Sequence, residues 1–445
     1  MIREECSMQR RTFVSGSLAA GFGSLLLTEK TAANAEDATP LKLGIIGVGL
    51  QGRVLINCLL ALGGVRIRAV CDMWPYRSNG AVDYLRVFDQ EAEGFAEYHE
   101  MLEKTPDLDA VVVATPDFAH SEQTVACLNA GLHVYCEAPM APTLDAAQAM
   151  ADAASKTGKL LQVGYQRRSS PRYQHVEKNL IQDAHLIQDI TAASTQWNQS
   201  DLWELGWPRR QAMAEADLQR YGYANMHEFR NWRWFRRHSA GPFAATAVHQ
   251  IDVLNRMLGA SPRTVLAAGS TGFFQDRECH DHATAIFEYP LNDRTLQATC
   301  QVLTTTSGTA GSHELLVGTA GSIRISENPR WATVFREPSA DPWDEWVRNE
   351  YLVKPAAKVE PPQDIGEPTD SSGQAVTVET GQVQQYQLPA MTHQSPFQYH
   401  LANFLEAIRG HGTLNCPPET AIPAETAVLR TIEAMQAKKL VSIFE

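Results

Sequence analysis

The sequence predicts an α/β protein that begins with a parallel sheet flanked by helices and continues with a second α/β domain built on a large, mostly antiparallel open sheet. Between about residues 40 and 165, short apolar runs alternate with helical stretches, which is typical of right-handed βαβ units. Beyond residue 189 the apolar runs lengthen and alternate with polar residues. That pattern favours antiparallel strands with one face open to solvent or ligand.

The elements of the first domain, residues 40–165, follow one another in a regular order. Its expected strands are "LKLGII", "VRIRAVCD", "DAVVVATP", "HVYCE" and "LLQVGY". Its expected helices include "QGRVLINCLLALG", "SEQTVACLNAG" and "TLDAAQAMADAASKTG". The glycine that ends each of these helical stretches is a common C-terminal stop signal.

The second domain, residues 166–445, has expected strands in "DITAASTQW", "RTVLAAGSTGFF", "HATAIFEYP", "RTLQATCQVLTTT" and "HELLVGTAGSIRIS". Residues 200–237 form a polar, Trp-rich and partly helical segment, and its run "NWRWF" at 231–235 is interpreted as a half-buried strand or a subunit contact. Residues 354–392 are rich in Pro, Gln, Glu and Gly and predict an irregular surface excursion. Two amphipathic helices, at about 398–409 and 424–438, close the chain.

Composition narrows the class of protein. The chain has 445 residues, which is enough for two or three domains, and its net charge is −13 with no long Lys/Arg block. A nucleic-acid or anionic-membrane partner is therefore not expected. None of the eight cysteines forms a C-x-x-C or Cys/His cluster, so no metal site is predicted. Four of them, Cys58, Cys71, Cys127 and Cys136, lie in apolar segments of the first half, and we expect these to be small buried hydrophobic residues.

The N-terminus has the pattern of an export signal. Arg10 and Arg11 precede an apolar run at 14–27, and Ala33-Asn34-Ala35 offers a small-residue cleavage site. The paired arginines predict a Tat-type signal over residues 1–35, export by the Tat route and a periplasmic or extracytoplasmic protein. The apolar run at 14–27 is too short to span a bilayer comfortably, and no membrane span is expected in the mature protein. The alternative is an uncleaved N-terminal anchor.

A glycine-rich turn joins the first strand to the first helix. It reads Gly47-Val48-Gly49-Leu50-Gln51-Gly52, the dinucleotide-binding fingerprint of a Rossmann domain. Gly47 allows the tight turn, Gly49 lets the backbone approach the pyrophosphate, and Gly52 lets helix and strand pack closely. The helix N-terminus attracts the phosphate charge. The alternative is a glycine-rich turn with no cofactor.

The acidic residue Asp72 ends the second strand, twenty residues beyond Gly52. At this place an acid accepts hydrogen bonds from the adenosine ribose and repels a 2′-phosphate. NAD is therefore favoured over NADP, although the nearby Arg77 leaves NADP open.

Two further strand ends are expected beside the cofactor, because ligands bind at the carboxyl ends of parallel strands. Thr115 and Pro116 follow the strand "AVVV" and are placed against the nicotinamide ribose, with His120 one helical turn on. His120 has the alternative of a purely structural hydrogen bond. Glu137 and Pro139 follow the next strand and are also assigned to the cofactor site.

The ordered motifs "GVGLQG", "ATPDFAH", "HVYCEAPM", "GYQRR" and "GPFAATAVHQIDVLNRMLG" resemble those of the Gfo/Idh/MocA oxidoreductases. The resemblance covers nearly all of the chain beyond the signal. It implies hydride transfer between a carbon of a sugar or polyol and the nicotinamide of NAD. It also implies a substrate cleft between the two domains and a homo-oligomer formed through the open sheet.

The chain departs from this family at two acid/base positions. Ala138 stands where the family has the lysine of Glu-Lys-Pro, and Ala245 stands for the aspartate of its second motif. The histidine of that motif is kept as His249, so the resemblance implies His249 as general base, with Asp252 orienting it. Residues considered as replacements for the lysine are Tyr165, Arg167, Arg168 and His238.

Substrate contacts are assigned to the entrance of the second domain. Gln166, Arg167, Arg168 and Trp232 are the candidates, with interdomain salt bridges as the alternative for the two arginines. Tryptophans are concentrated between residues 197 and 234 and favour a sugar-like ligand, because aromatic faces stack on pyranose rings. They are Trp197, Trp203, Trp207, Trp232 and Trp234.

Two alternative functions remain open at this stage. Exported relatives with altered sites cleave glycosides through a keto intermediate, so the resemblance allows an NAD-dependent glycoside lyase or hydrolase. The two alanines also fit a catalytically impaired nucleotide-binding protein.

Overall fold

A computed structural model describes residues 39–200, 204–274, 276–291, 294–308, 311–355, 383–391 and 394–444. The predicted signal at 1–35, Trp203 and most of the expected surface excursion lie outside the described residues. None of the helices in the described part of the chain is both long and apolar enough to cross a lipid bilayer.

The first domain is a six-stranded parallel sheet with the strand order β3-β2-β1-β4-β5-β6. Its strands are β1 Leu41–Ile46, β2 Val65–Cys71, β3 Glu93–Phe95, β4 Ala110–Val113, β5 His133–Cys136 and β6 Leu161–Val163. Its helices are α1 Leu50–Leu62, α2 Pro75–Arg86, α3 Tyr98–Lys104, α4 Asp117–Asn129 and α5 Leu144–Thr157. The order reverses between β1 and β4, and such a switch point opens a crevice at the carboxyl ends of the strands.

The second domain is a nine-stranded sheet with the strand order β14-β13-β12-β11-β7-β10-β9-β8-β15. Its strands are β7 Ile190–Asn198, β8 Thr264–Ser270, β9 His282–Leu291, β10 Arg294–Leu303, β11 Ser312–Gly318, β12 Gly321–Ile325, β13 Thr333–Arg336, β14 Gln384–Gln387 and β15 Val441–Ser442. Only β7 and β10 pair in parallel among these described strands. The predicted α/β fold class, with a parallel and then a mostly antiparallel sheet, is confirmed.

Helices α9 Pro242–Leu258 and α12 Pro418–Ala437 pack on one face of the second sheet. The other described helices of this half of the chain are α6 Pro171–Gln174, α7 Glu215–Arg220, α8 Met226–Arg230, α10 Asp344–Arg348 and α11 Pro396–Ile408, with a π-helical stretch at His175–Asp183 after α6. Short 3-10 helices lie at Gln166–Ser169, Arg209–Gln211, Trp232–Trp234 and Pro329–Trp331. Along β9, Ala283, Ala285 and Phe287 face the helices, whereas Thr284 and Ile286 are exposed on the other face.

The two domains share their cores. Leu401, Phe404 and Leu405 of α11 pack into the apolar cluster beneath β1 and α1. The backbone N–H of Val163 in β6 donates to the carbonyl of Cys416 just before α12. The C-terminal helices therefore complete the first domain as well as the second.

Three local predictions need correction. The run "NWRWF" is not a strand, because its centre, Trp232–Trp234, forms a 3-10 helix. The excursion is not irregular throughout, since Gln384–Gln387 pairs with β13 as the edge strand β14. Helix α12 begins at Pro418, ahead of the predicted start after Pro423, because the structure accommodates Pro423 inside the helix.

The described cysteines are all buried free thiols, which confirms the expectation for the four in the first half of the chain. They are Cys58, Cys71, Cys127, Cys136, Cys279, Cys300 and Cys416.

Candidate active site

A cleft of about 700 Å³ lies at the switch point of the parallel sheet and extends to the second domain. Most of the residues singled out from the sequence line it. They are Gly47, Gly49, Leu50, Gln51, Asp72, Thr115, Pro116, His120, Glu137, Pro139, Gln166, Trp232 and His249. The two alanines at the departures from the family motifs, Ala138 and Ala245, line the same cleft.

The glycine-rich turn has the space that a dinucleotide needs. A Cβ on Gly47, whose φ is +87°, would lie 2.6 Å from the carbonyl oxygen of Ala114, and one on Gly52 would lie 2.0 Å from that of Gly47. Both glycines are therefore required for packing. A Cβ on Gly49 would meet nothing within 4 Å, so the backbone there is open to the cleft. The turn ends at the N-terminus of α1, where N–H groups favour an anion, and these residues fit the pyrophosphate of NAD.

Asp72 links this turn to the end of β2. Its Oδ2 accepts from the N–H of Val48 at 3.1 Å and its Oδ1 from that of Trp74 at 2.9 Å. Burial raises the pKa of Asp72, while these two hydrogen bonds act in the opposite direction. The carboxylate is thereby fixed at the edge of the cleft where the ribose hydroxyls of NAD are expected.

His120 holds the two strand-end turns together. Its Nδ1 lies 2.9 Å from the carbonyl oxygen of Pro139, and its Nε2 lies 2.8 Å from that of Thr115. Burial lowers the pKa of His120. A neutral imidazole carries one N–H, so it donates to one of these two carbonyls at a time. These contacts favour the structural role that was the alternative to a cofactor contact for His120.

Glu137 is a buried carboxyl at the floor of the cleft. Its Oε1 accepts from Nε2 of Gln51 at 2.8 Å, and its Oε2 accepts from the N–H of Ala138 at 3.2 Å. Burial raises the pKa of Glu137 to about 7. A carboxyl with such a pKa exchanges its proton near neutral pH, which suits acid/base work.

His249 projects from α9 and is 9% exposed. Its ring contacts Trp197 and Tyr165, with ring centroids 6.0 and 5.8 Å away, and its Nδ1 has no hydrogen-bond partner among the described residues. Burial, and then the charge of Arg167, lower the pKa of His249 to about 3. The imidazole is therefore neutral and able to accept a proton, although weakly.

Asp252 does not orient His249, contrary to expectation. Its carboxylate is bound by Arg168, whose Nε lies 3.1 Å from Oδ1 and 3.0 Å from Oδ2. The same guanidinium donates to the carbonyl of Thr420 at 2.8 Å. Asp252 and Arg168 thus form a buried ion pair that joins α9 to the segment after β6, and neither residue lines the cleft.

Arg167 is likewise not a substrate contact. It is 1% exposed and bound to Glu314 and Glu327. Its Nη2 also donates to the hydroxyl of Ser312 at 3.0 Å. Both arginines thus form buried ion pairs, as their alternative had it, but the carboxylates that bind them lie within the second domain and not across the two domains.

The other residues considered as replacements for the lysine are also engaged elsewhere. The hydroxyl of Tyr165 donates to Glu425 at 2.7 Å, and Nε2 of His238 lies 2.6 Å from Oε1 of Glu228. Neither side chain lines the cleft. Gln166 does line it, and donates to Glu327 at 3.1 Å.

Asp117 and Arg233 are among the charged residues of the cleft that sequence reasoning missed. Asp117 is buried, accepts from the hydroxyl of Ser239 at 2.9 Å, and has its pKa raised to about 7 by burial. Arg233 lies over the ring of Trp232, with 4.1 Å between Cζ and the ring centroid. The alternation of the "NWRWF" run predicts a strand, in which Arg233 and Trp232 would lie on opposite faces. In the 3-10 helix that forms instead, both side chains line the cleft.

Comparison with known proteins identifies both domains. Residues 41–165 match the oxidoreductase family with an NAD-binding Rossmann fold, and residues 212–443 match the C-terminal alpha/beta domain of the same family. Inositol 2-dehydrogenase of Salmonella typhimurium is 29% identical over 227 residues, which is 51% of this chain and 56% of that protein. The matched region therefore spans little more than half the length of this curated relative.

Two solved structures share the fold over nearly the whole chain. Aldose-aldose oxidoreductase from Caulobacter crescentus, complexed with glycerol, has a TM-score of 0.65 and 17% identity, covering 91% of this chain and 99% of its own. The WlbA dehydrogenase from Bordetella pertussis, in complex with NADH and UDP-GlcNAcA, has a TM-score of 0.62 and 17% identity, covering 91% and 98%. With both domains matched in order, the chain belongs to the Gfo/Idh/MocA oxidoreductase family, whose first domain is an NAD-binding Rossmann domain.

Proposed function

We propose that the protein is an NAD-dependent oxidoreductase that acts on a sugar, polyol or glycoside by hydride transfer. The observation that carries this proposal is the single cleft in which the dinucleotide turn, the buried carboxyl of Glu137, His249 and the aromatic faces of Trp197 and Trp232 meet. The names of the inositol and aldose oxidoreductases among its relatives support the same substrate class.

The cofactor would be held by the residues whose geometry fits it. The open backbone at Gly49 and the N-terminus of α1 bind the pyrophosphate, and Asp72 accepts from the ribose. When bound, NAD supplies the hydride acceptor. Thr115 and Pro116, which His120 holds in place, shape the wall beside the nicotinamide ribose.

The hydroxyl proton of the substrate needs an acceptor as the hydride leaves. His249 takes this role in our proposal, because it is neutral, lines the cleft and has an unpartnered ring nitrogen. Glu137 is the second candidate, favoured by its pKa of about 7. Asp252 has no part in the proton transfer, since its charge is bound by Arg168.

The test starts from purified protein. Denaturation should release NAD or NADH, identified by absorbance and mass, and a panel of sugars, polyols and aryl glycosides should then be screened for a change at 340 nm. Substrate-driven reduction supports the proposal. Aglycone release without net reduction would replace it with the glycoside lyase or hydrolase reaction, and cofactor without any response to the panel would replace it with a nucleotide-binding protein.

We also propose export and self-association. The paired Arg10 and Arg11, with the small residues before position 36, support a Tat signal cleaved after Ala35. The exposed face of the nine-stranded sheet, with Leu266 and Ile286 on it, supports a homo-oligomer. N-terminal sequencing of the periplasmic protein and light scattering on the purified protein test these two points.

A further inference from the structure

Arg233 is a cation that the cleft holds in a fixed orientation. It belongs to the 3-10 helix Trp232–Trp234 and lies over the ring of Trp232, with 4.1 Å between Cζ and the ring centroid. Stacking of this kind fixes the plane of a guanidinium and leaves its N–H edge free to donate. The side chain lines the same cleft as Glu137, Pro139 and His249.

No described residue forms a hydrogen bond or an ion pair with Arg233. Asp117 and Glu137 are close enough for their charges to act on it. Glu137 has both oxygens bound, by Gln51 and by the N–H of Ala138, and Asp117 has Oδ2 bound by Ser239. The other oxygen of Asp117 has no hydrogen-bond partner among the described residues, Arg233 included. Burial also raises the pKa of both carboxyls to about 7, which opposes their ionised forms. A half-buried guanidinium with five donors and no oxygen partner among the described residues has its N–H groups available to acceptors that enter the cleft.

We propose that Arg233 binds a carboxylate of the substrate, so that the cleft takes an acidic sugar such as a uronate or an aldonate. The planar fork of a guanidinium matches the two oxygens of a carboxylate, and the paired hydrogen bonds fix orientation as well as charge. A neutral hydroxyl would accept only one such bond. This inference rests on the proposed sugar oxidoreductase function and narrows its substrate class.

The test uses pairs of sugars that differ only by a carboxylate in place of the terminal CH₂OH. D-glucuronate is compared with D-glucose, and D-galacturonate with D-galactose, by reduction of NAD at 340 nm. The variants are Arg233→Gln, Arg233→Lys and the control Arg210→Gln, which changes an exposed arginine outside the cleft.

The wild-type protein should prefer the acidic member of each pair. Arg233→Gln should lower kcat/KM for the acids by about 10- to 100-fold, the cost of losing hydrogen bonds to a charged group, with little change for the neutral sugars. Arg233→Lys should lie between, because it keeps the charge but loses the fork, and Arg210→Gln should match the wild type. Equal losses for acidic and neutral sugars, or a wild-type preference for the neutral members, would overturn the inference.

A binding measurement separates this inference from the proposed function. If no sugar reduces the nicotinamide, the proposed function fails, and Arg233 is then tested by titrating the intrinsic tryptophan fluorescence of the NAD-loaded protein with the same four sugars at constant ionic strength. A saturable response to the acids that Arg233→Gln abolishes and Arg210→Gln keeps supports the inference. No saturable response to either acid overturns it. Thermal melting confirms that each variant is folded.

Discussion

The side-chain amide of Gln51 donates a hydrogen bond to the carboxyl of Glu137, with 2.8 Å between Nε2 and Oε1. This bond joins the first turn of α1 to the turn after β5, which carries Ala138. It places an ionisable group between the dinucleotide turn and the position where the family has its lysine. Burial raises the pKa of this carboxyl to about 7, so the site should respond to pH in the neutral range.

If Glu137 accepts the substrate proton, kcat/KM should rise with pH through about 7 as the carboxylate forms. Glu137→Gln should remove that limb of the pH profile and lower the rate by about 10²- to 10⁴-fold. Gln51→Leu is the matched control. It removes a hydrogen bond that lowers the pKa of Glu137, so the limb should move to higher pH with the rate at its plateau largely kept. A profile that Glu137→Gln leaves unchanged would exclude this role.

His249→Asn should reduce activity by about 10²- to 10⁴-fold if His249 is the general base. The pKa of His249 is lowered to about 3, so the imidazole stays neutral over the working range. The loss should therefore be the same at every pH and no histidine limb near pH 6.5 should be seen. If this variant kept near wild-type activity and Glu137→Gln were inactive, Glu137 and not His249 would be the acceptor of the substrate hydroxyl proton.

Asp252→Asn should destabilise the protein without disabling the site. The substitution leaves Arg168 buried without its carboxylate, which typically costs about 3–5 kcal/mol of unfolding free energy. Denaturant unfolding measures the loss, and the double variant Arg168→Gln/Asp252→Asn should lose less than the sum of the two single variants. A fall in kcat with unchanged unfolding free energy would restore the catalytic role that the sequence suggested.

Glu425→Gln should stabilise the protein above neutral pH. Glu425 is fully buried, one of its oxygens has no partner among the described residues, and burial raises its pKa to about 7. Because the folded pKa lies above the unfolded value, this group's contribution to stability is complete below about pH 4.5 and is lost as pH rises to about 7. The variant should therefore gain up to about 3 kcal/mol at pH 8 and little at pH 5. An equal change at both pH values, measured by denaturant unfolding, would contradict this origin.

Substitutions at two glycines of the dinucleotide turn should have different effects, one on cofactor binding and the other on stability. Gly49→Val adds a side chain where only the cleft lies, so it should weaken NAD binding by about 10- to 100-fold and leave unfolding free energy nearly unchanged. Gly52→Ala places a Cβ against the carbonyl of Gly47 and should cost about 1–3 kcal/mol of stability. Calorimetric titration with NAD and thermal melting of both variants measure the two effects. If both variants lost the same unfolding free energy, Gly49 would be needed for packing of the fold and not for cofactor binding.

Sequence reasoning was most successful where the signal is local. The parallel sheet follows from strands and helices that alternate within a few residues, and the glycine turn with Asp72 lies within 26 residues. The motif resemblance placed Ala138, Ala245 and His249 in a common site, and the structure brings all three into one cleft. Hydrophobic periodicity and turn chemistry are properties of neighbouring residues, which is why they can be read before the fold is known.

The predictions failed where the partner is distant in sequence. Arg168 lies 84 residues from Asp252, and Arg167 lies 147 residues from Glu314. Nothing near either arginine indicates which carboxylate it will bind, so a contact with the substrate and a buried ion pair were equally consistent with the sequence. Arg233 was missed for a different reason: alternating tryptophans mimic the period of a strand, while a 3-10 helix turns the intervening side chain into the cleft.

The hydrogen bond from the backbone N–H of Met140 to Oε1 of Glu425, 2.6 Å long, spans 285 residues of sequence. When the whole parallel sheet has been translated, Glu425, which binds the turn after Ala138, has therefore not yet been made. The apolar side chains of α11 that pack against β1 and α1 are also still missing. During synthesis the nucleotide-binding half keeps that surface uncovered until α11 and Glu425 have been made. We therefore expect chaperone protection during elongation to matter more for this chain than its two-domain appearance suggests.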